Sequence, residues 1–223
     1  MSSAPTAQLR ASALSVKAGP LWLLSGLSFT LEAGSGLILR GANGTGKTSL
    51  LRILAGLTRP EDGAISFGTS SDETAYSLSE NCHFLGHKNG LKAAHTVRKN
   101  LSFFTQFQPQ NAGDKNMIDK AAKALGLTPL LDLPVSVLSA GQARRVAFAR
   151  LLMAPRLIWL LDEPAAALDA QSAKRAEKLC QEHLESGGII IAATHGTFLS
   201  KTQNCRILNI MDYAPQSQGA ASR

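Results

Sequence analysis

The chain has 223 residues, 44% of them hydrophobic and 17% charged, which excludes a disordered chain and suits one globular domain with a real core. Its formal net charge of +7 suits phosphates, polyanions or an anionic membrane surface without choosing among them. Cys82, Cys180 and Cys205 are too few and too scattered for a disulfide framework, so the chain reads as a resident of a reducing cytoplasm.

No stretch approaches the ~20 consecutive apolar residues of a spanning helix. The opening residues, MSSAPTAQLRASALSVKAGP, lack the apolar core of a secretory signal. Any membrane part is therefore expected from a partner. Cys82, His83 and His87 lie close in sequence, but no second cluster completes a tetrahedral metal site.

Residues 1 to about 10 read as loose, and residues 21–32 as short strands near a sheet edge. Gly36 to Arg40 is a short apolar strand that runs into Gly41-Ala42-Asn43-Gly44-Thr45-Gly46-Lys47-Thr48. A helix follows from Ser49 to Ala55, stopped by Gly56 and Pro60. A turn at Glu61 to Gly63 leads to a strand over Ala64 to Phe67, and residues 69 to about 80 are polar and loop-like. Cys82 to Gly86 reads as another short strand. From about 91 to 135 the pattern turns helical, with helices over Thr96 to Phe107 and Lys115 to Leu125, and Val146, Ala149, Leu152 and Met153 keep a helical stripe after Gly141.

Leu157 to Leu161 is apolar throughout, as in a parallel sheet covered on both faces. A charged amphipathic helix over 171–185 and a buried strand over Ile189 to Ala193 follow. The alternation implies an α/β fold with a mixed sheet core and a small helical subdomain. The organisation expected is a single domain over 1–223, with the helical insert at about 91–150 and a loose tail over 212–223.

Four constellations carry chemistry. The first, Gly41, Ala42, Asn43, Gly44, Thr45, Gly46, Lys47 and Thr48 with Ser49 behind it, matches strand–GxxxxGK[ST]–helix in full context. Its glycines turn backbone N–H groups toward phosphate oxygens, and the helix adds its positive end. Lys47 is expected to reach the β and γ phosphates, and the Thr48 hydroxyl to ligate Mg²⁺. In the second, Asp162 and Glu163 end an apolar strand. Asp162 is placed for the Mg²⁺ shell and Glu163 as general base toward a water. The third is Thr194-His195, where a histidine at a strand's C-terminal end can hold the attacking water. The fourth is Leu138-Ser139-Ala140-Gly141-Gln142, with Ser139 an N-cap candidate at a helix start. A second anion site beside one phosphate loop suggests that this run closes over nucleotide held by a partner domain.

The order phosphate loop, LSAGQ, LLDEP, ALD and TH resembles the nucleotide-binding subunit of ATP-binding-cassette (ABC) systems over roughly residues 10–210. The resemblance implies ATP and Mg as ligands and a head-to-tail homodimer, with Ser139, Gly141 and Gln142 acting across the interface and Asp169 coupling the two sites. More finely, GTGKTSLLRILAGLTRPEDG, HFLGHKNGLK and LSAGQARRVAFARLL are similar to the ATP-binding subunit of the cytochrome c maturation haem exporter. That resemblance implies His87 where other cassettes carry the glutamine that senses Mg²⁺. It also implies integral membrane permease subunits, an indirect link to a periplasmic haem chaperone, no nucleic-acid partner, and a peripheral place on the cytoplasmic face of a bacterial inner membrane. An ABC transporter for another solute, or a soluble cassette ATPase acting on nucleic acid or ribosomes, are the alternatives. The sequence departs from the family pattern at the adenine-stacking aromatic: Lys17, Ala18 and Gly19 stand there, and Trp22 is the only nearby aromatic. Ala140 and Ala166 replace commoner glycine and Ser or Thr.

Overall fold

The computed structural model describes residues 7–69, 78–106 and 115–215. Its strands separate into two sheets. β1 (Ala7–Ala18), β2 (Leu21–Glu32) and, after the helix α1 (Lys47–Leu54), β4 (Asp62–Thr69) form an antiparallel sheet in the order β2-β1-β4. β3 (Gly36–Arg40), β5 (Cys82–Leu85), β6 (Ile158–Asp162), β7 (Ile189–Ala193) and β8 (Cys205–Asn209) form a five-stranded sheet in the order β5-β6-β7-β3-β8, every described pairing parallel.

The interior strands of this second sheet are apolar on both faces because both faces are covered. Side chains alternate across a strand, and the core divides accordingly. Leu37, Leu39, Ile158, Leu160, Ile189 and Ile191 pack with α1 and the antiparallel sheet. Ile38, Trp159, Leu161, Ile190 and Ala192 pack with the helical side of the molecule. There α3 (Val97–Thr105), α4 (Lys115–Leu125), α5 (Ala140–Ala149) and α6 (Ala170–Glu185) supply Leu101, Ala122, Phe148 and Leu179. A single turn, α2 (Leu78–Asn81), precedes β5.

Side chains set several helix ends. Thr96 caps α3 by accepting from the Lys99 amide, and Arg145 donates to the carbonyls of Leu125 and Gly126 at the end of α4.

The structure corrects parts of the sequence reading. Residues 7–10 open the long strand β1 rather than a loose segment, and residues 1–6 of that expectation lie outside the described residues. Residues 21–32 form one strand instead of several. The helix expected to reach Phe107 ends at Thr105, with residue 107 outside the description, as are residues 70–77 of the loop read over 69 to about 80. β8, with mostly exposed side chains, has no counterpart among the elements the sequence pattern predicts. At the start of the expected tail, Ile210–Tyr213 form a 3-10 turn with Ile210 fully buried; residues 216–223 lie outside the description.

Candidate active site

The sheet order decides what meets what. β6, β7 and β3 are adjacent and parallel, so their C-terminal ends lie side by side. Ala193 pairs with Asp162 on one side and with Leu39 on the other, so the three sit at one level. The segments leaving these ends carry the phosphate-loop, carboxylate and histidine motifs. A crevice outside the carboxyl ends of parallel strands is where α/β sheets bind ligands.

From β3 the chain enters the loop 41–46 and then α1. Gly41 has φ +152°, and a Cβ there would stand 2.5 Å from Ile210 Cγ2 and 3.0 Å from Thr45 Oγ1. Gly46 caps α1 with φ 101°, a left-handed conformation that favours glycine. The Thr45 hydroxyl donates to Ala42 O at 2.9 Å and closes the turn. Asn43 and Gly44 form its exposed rim, and Ser49 is half-buried in the first turn of α1.

Lys47 is buried, and its Nζ donates to Gly41 O at 2.7 Å and Ala42 O at 2.8 Å. Burial pulls its ammonium below the ordinary lysine range, and the charges of Glu163 and Asp162 act in the opposite direction. Thr48 Oγ1 donates to Oδ2 of the buried Asp162 at 2.9 Å. Glu163 follows in the left-handed region at φ 45°, its amide donating to Ala193 O at 2.8 Å. Its Oε1 is buried and lacks a well-formed hydrogen bond; His195 Nε2 is 3.5 Å away. The same His195 nitrogen lies 2.7 Å from Asn43 Oδ1 and 3.3 Å from Lys47 Nζ. Lys47, Thr48, Asp162, Glu163 and His195 therefore form one cluster, and Asn43 belongs to it.

The other expected site residues stand elsewhere. Ser139 caps α5 in a reciprocal capping box: Gln142 N donates to Ser139 Oγ at 3.2 Å, and Ser139 N donates to Gln142 Oε1 at 2.8 Å. Among the described residues, the side chains of Ser139 and Gln142 bond only to this box. A Cβ on Gly141 would lie 2.6 Å from Ala167 O, so this helix start abuts the loop before α6. Asp169 caps α6, accepting from Ser172 N at 2.7 Å and Ser172 Oγ at 3.2 Å, and these bonds hold its carboxyl below the usual range. His87 is exposed in the turn after β5. Trp22 is 46% exposed, paired with Lys17 across the β1–β2 hairpin, and carries the Lys17 ammonium 4.0 Å from its ring centroid.

One residue escaped the sequence reading. Arg144 is 3% exposed, and its guanidinium donates to the carbonyls of Asp162 (2.7 Å), Glu163 (2.8 Å), Pro164 (3.2 Å) and Gly86 (2.7 Å) and to Asn89 Oδ1 (3.2 Å). Burial lowers its pKa from the ordinary arginine value, opposed by the charges of Asp162 and Glu163. The available signal was its register. Arg144 sits three and four residues before the buried Ala147 and Phe148, on the apolar stripe of α5. A charge on that stripe needs partners inside the fold.

The chain can be set beside known proteins. A family model described as ABC transporter matches residues 24–166. The cytochrome c biogenesis ATP-binding export protein CcmA of Rhizobium etli is 43% identical over 188 residues, covering 84% of this chain and 87% of that protein. The protein of that name from Rhizobium meliloti is 44% identical over 191 residues, covering 84% and 91%. A putative ABC transporter ATP-binding protein from Pyrococcus furiosus has the same fold, with a TM-score of 0.76 at 24% identity over 93% of this chain and 99% of that one. CbiO1 from Clostridium perfringens, part of the ABC transporter complex cbiONQ, gives a TM-score of 0.67 at 28% identity over 84% and 78%. The chain belongs to the ABC transporter family, among its cytochrome c biogenesis ATP-binding export proteins, and is an ATPase.

Proposed function

We propose that this chain is the ATP-hydrolysing subunit of a membrane export complex in c-type cytochrome assembly, driving haem export or release of a haem-loaded periplasmic chaperone. The convergence of Lys47, Thr48, Asp162, Glu163 and His195 on one strand-end crevice carries the ATPase part of the reading. The names of relatives at 43% and 44% identity support the pathway.

In this reading the amides of residues 41–46 and Lys47 bind the β and γ phosphates. Thr48 Oγ1 and Asp162 Oδ2, 2.9 Å apart, are hard oxygen donors that fit Mg²⁺ and would hold it. When bound, that ion supplies neutralisation of charge on the phosphate oxygens. Glu163 takes the proton of a water as the water oxygen bonds to the γ-phosphorus; the bond to the bridging oxygen breaks, and ADP leaves with its electron pair. The buried Glu163 Oε1 without a well-formed hydrogen bond supports that role. His195, held by Asn43, orients the same water.

The chain acts as a homodimer, with Ser139, Gly141 and Gln142 of one copy over the nucleotide of the other and Asp169 coupling the two. The exposure of Ser139 at a helix N-terminus supports this. No described helix is long and apolar enough to cross a membrane. We therefore assign the membrane part to permease subunits and this chain to the cytoplasmic face of a bacterial inner membrane.

The test is affinity purification from native membranes with mass spectrometry. Recovery of cytochrome c maturation membrane subunits is expected. A different permease would redirect the reading to another solute, and retention by bare lipid or RNA alone would overturn it.

A further inference from the structure

Arg144 uses its whole donor set. A guanidinium has five N–H groups in a fixed fork, and the five bonds described above engage Nε once and Nη1 and Nη2 twice each. Three of the acceptors are consecutive carbonyls, those of Asp162, Glu163 and Pro164. The other two belong to the turn after β5. The fork therefore bridges two segments about 75 positions apart in sequence, and among the described residues none of its hydrogen bonds reaches the phosphate loop or Lys47.

The residue it grips is conformationally unusual. Glu163 lies at φ 45°, a region in which a side chain with a Cβ is strained. Such a conformation persists only where the surroundings over-determine it. The bonds from Arg144 to the carbonyls on either side, with the Glu163 amide bonded to Ala193 O, provide that determination. The turn at 86–90 is held from a second direction as well. Arg150 donates to Asn89 O and stacks over the Phe104 ring at 4.4 Å.

We infer that Arg144 is a positioning residue that fixes the Glu163 carboxylate and makes its placement depend on the exposed turn at 86–90. The inference rests on the proposed role of Glu163. Displacing Gly86 and Asn89 drags Nη1, and the planar fork carries Nη2 and Nε with it, so the backbone of 162–164 moves too. The consequence is local to the hydrolytic step, because nucleotide binding is held by Lys47 and the loop 41–46. Lysine is no substitute. Its ammonium has three donors on a flexible stem and cannot span both segments.

The test is steady-state ATP hydrolysis by the full-length protein over a range of ATP concentrations. Arg144→Lys is expected to lower kcat about 10- to 100-fold, the scale of a misplaced catalytic group, while KM for ATP changes less than about threefold. Asn89→Ala, which loosens only the far segment, is expected to lower kcat less and in the same direction. The double substitution is expected to be no worse than Arg144→Lys alone, since both act through one side chain. Additive effects, an unchanged kcat in Arg144→Lys, or a rise in KM matching the fall in kcat would overturn the inference. Should Arg144→Lys fail to fold, Asn89→Ala decides: unchanged kcat counts against, a lower kcat at constant KM and melting temperature counts for. Glu163→Gln separates the two layers. If that variant keeps its turnover, the proposed role of Glu163 fails; if it loses turnover while the Arg144 and Asn89 variants do not, only the positioning role fails.

Discussion

The hydroxyl of Thr48 donates to Asp162 Oδ2 across 2.9 Å, joining residues 114 apart in sequence. One stands on the first turn of α1 and the other at the last position of β6. This is the pair proposed above as the seat of the metal that accompanies ATP.

Asp162→Asn keeps the size of this group and removes its charge. It is expected to lower turnover by about 100-fold or more and to raise the Mg²⁺ concentration needed for half-maximal activity. Thr48→Val should act in the same direction. Phosphate release across a Mg²⁺ titration checks both, and an unaltered Mg²⁺ dependence would remove the pair from the metal site.

Glu163→Gln retains the acceptor oxygen and removes the proposed base. Turnover is expected to fall about 10²- to 10⁴-fold, with ATP still bound and the dimer stabilised. Nucleotide retention and sedimentation in ATP measure the second half of the expectation. Wild-type turnover in this variant would assign the base elsewhere.

Gly141→Ala sets two magnitudes against each other. Alanine gains about 1 kcal/mol of helix propensity in α5. Its Cβ, however, would stand 2.6 Å from Ala167 O, and overpacking against rigid neighbours costs about 1 to 3 kcal/mol. The backbone oxygen has to yield, so the loop leading to Asp169 shifts. Reduced turnover with ATP binding to the monomer intact is the expected result. A more stable and fully active variant would show that the loop is slack.

His83 and His183 give the fold a pH dependence. Burial pushes both down to about 4; His83 Nε2 meets Ala154 O at 2.7 Å, and the His183 ring stacks on Trp159 at 3.9 Å. The folded state keeps them neutral while the unfolded chain protonates near the ordinary value of about 6.5. Stability is thus full above that pH and falls as pH drops from about 6.5 toward 4. For His83 the slope has a ceiling of about 1.4 kcal/mol per pH unit. Denaturation midpoints measured from pH 7.5 to 4.5 should decline, and His83→Gln should flatten the decline. A flat profile in the parent chain would contradict the burial of these rings.

The legible parts of the chain are those where one local signal acts alone. The GxxxxGK[ST] spacing marks the loop after β3, the unbroken apolar runs mark β6 and β7, and helical periodicity places α4 at Lys115–Leu125. β1 is less readable because its alternation is interrupted: the register with β2 shifts between Ala11 and Leu14, where Ala13 adopts φ 49°. β8 is an edge strand with mostly exposed side chains, so its pairing with β3 leaves no pattern in the sequence. Arg144 was hidden for another reason. Its partners are mostly main-chain carbonyls, and these have no residue identity to read.

The strand order also makes the crevice depend on one late strand. β7 lies between β6 and β3 in the sheet yet follows both in the chain. β3, which leads into the loop 41–46, and β6, which ends in Asp162, share no edge; β7 stands between them and pairs with both. A chain cut anywhere before Ile189 lacks the strand that sets the end of β3 beside the end of β6, and it lacks His195 as well.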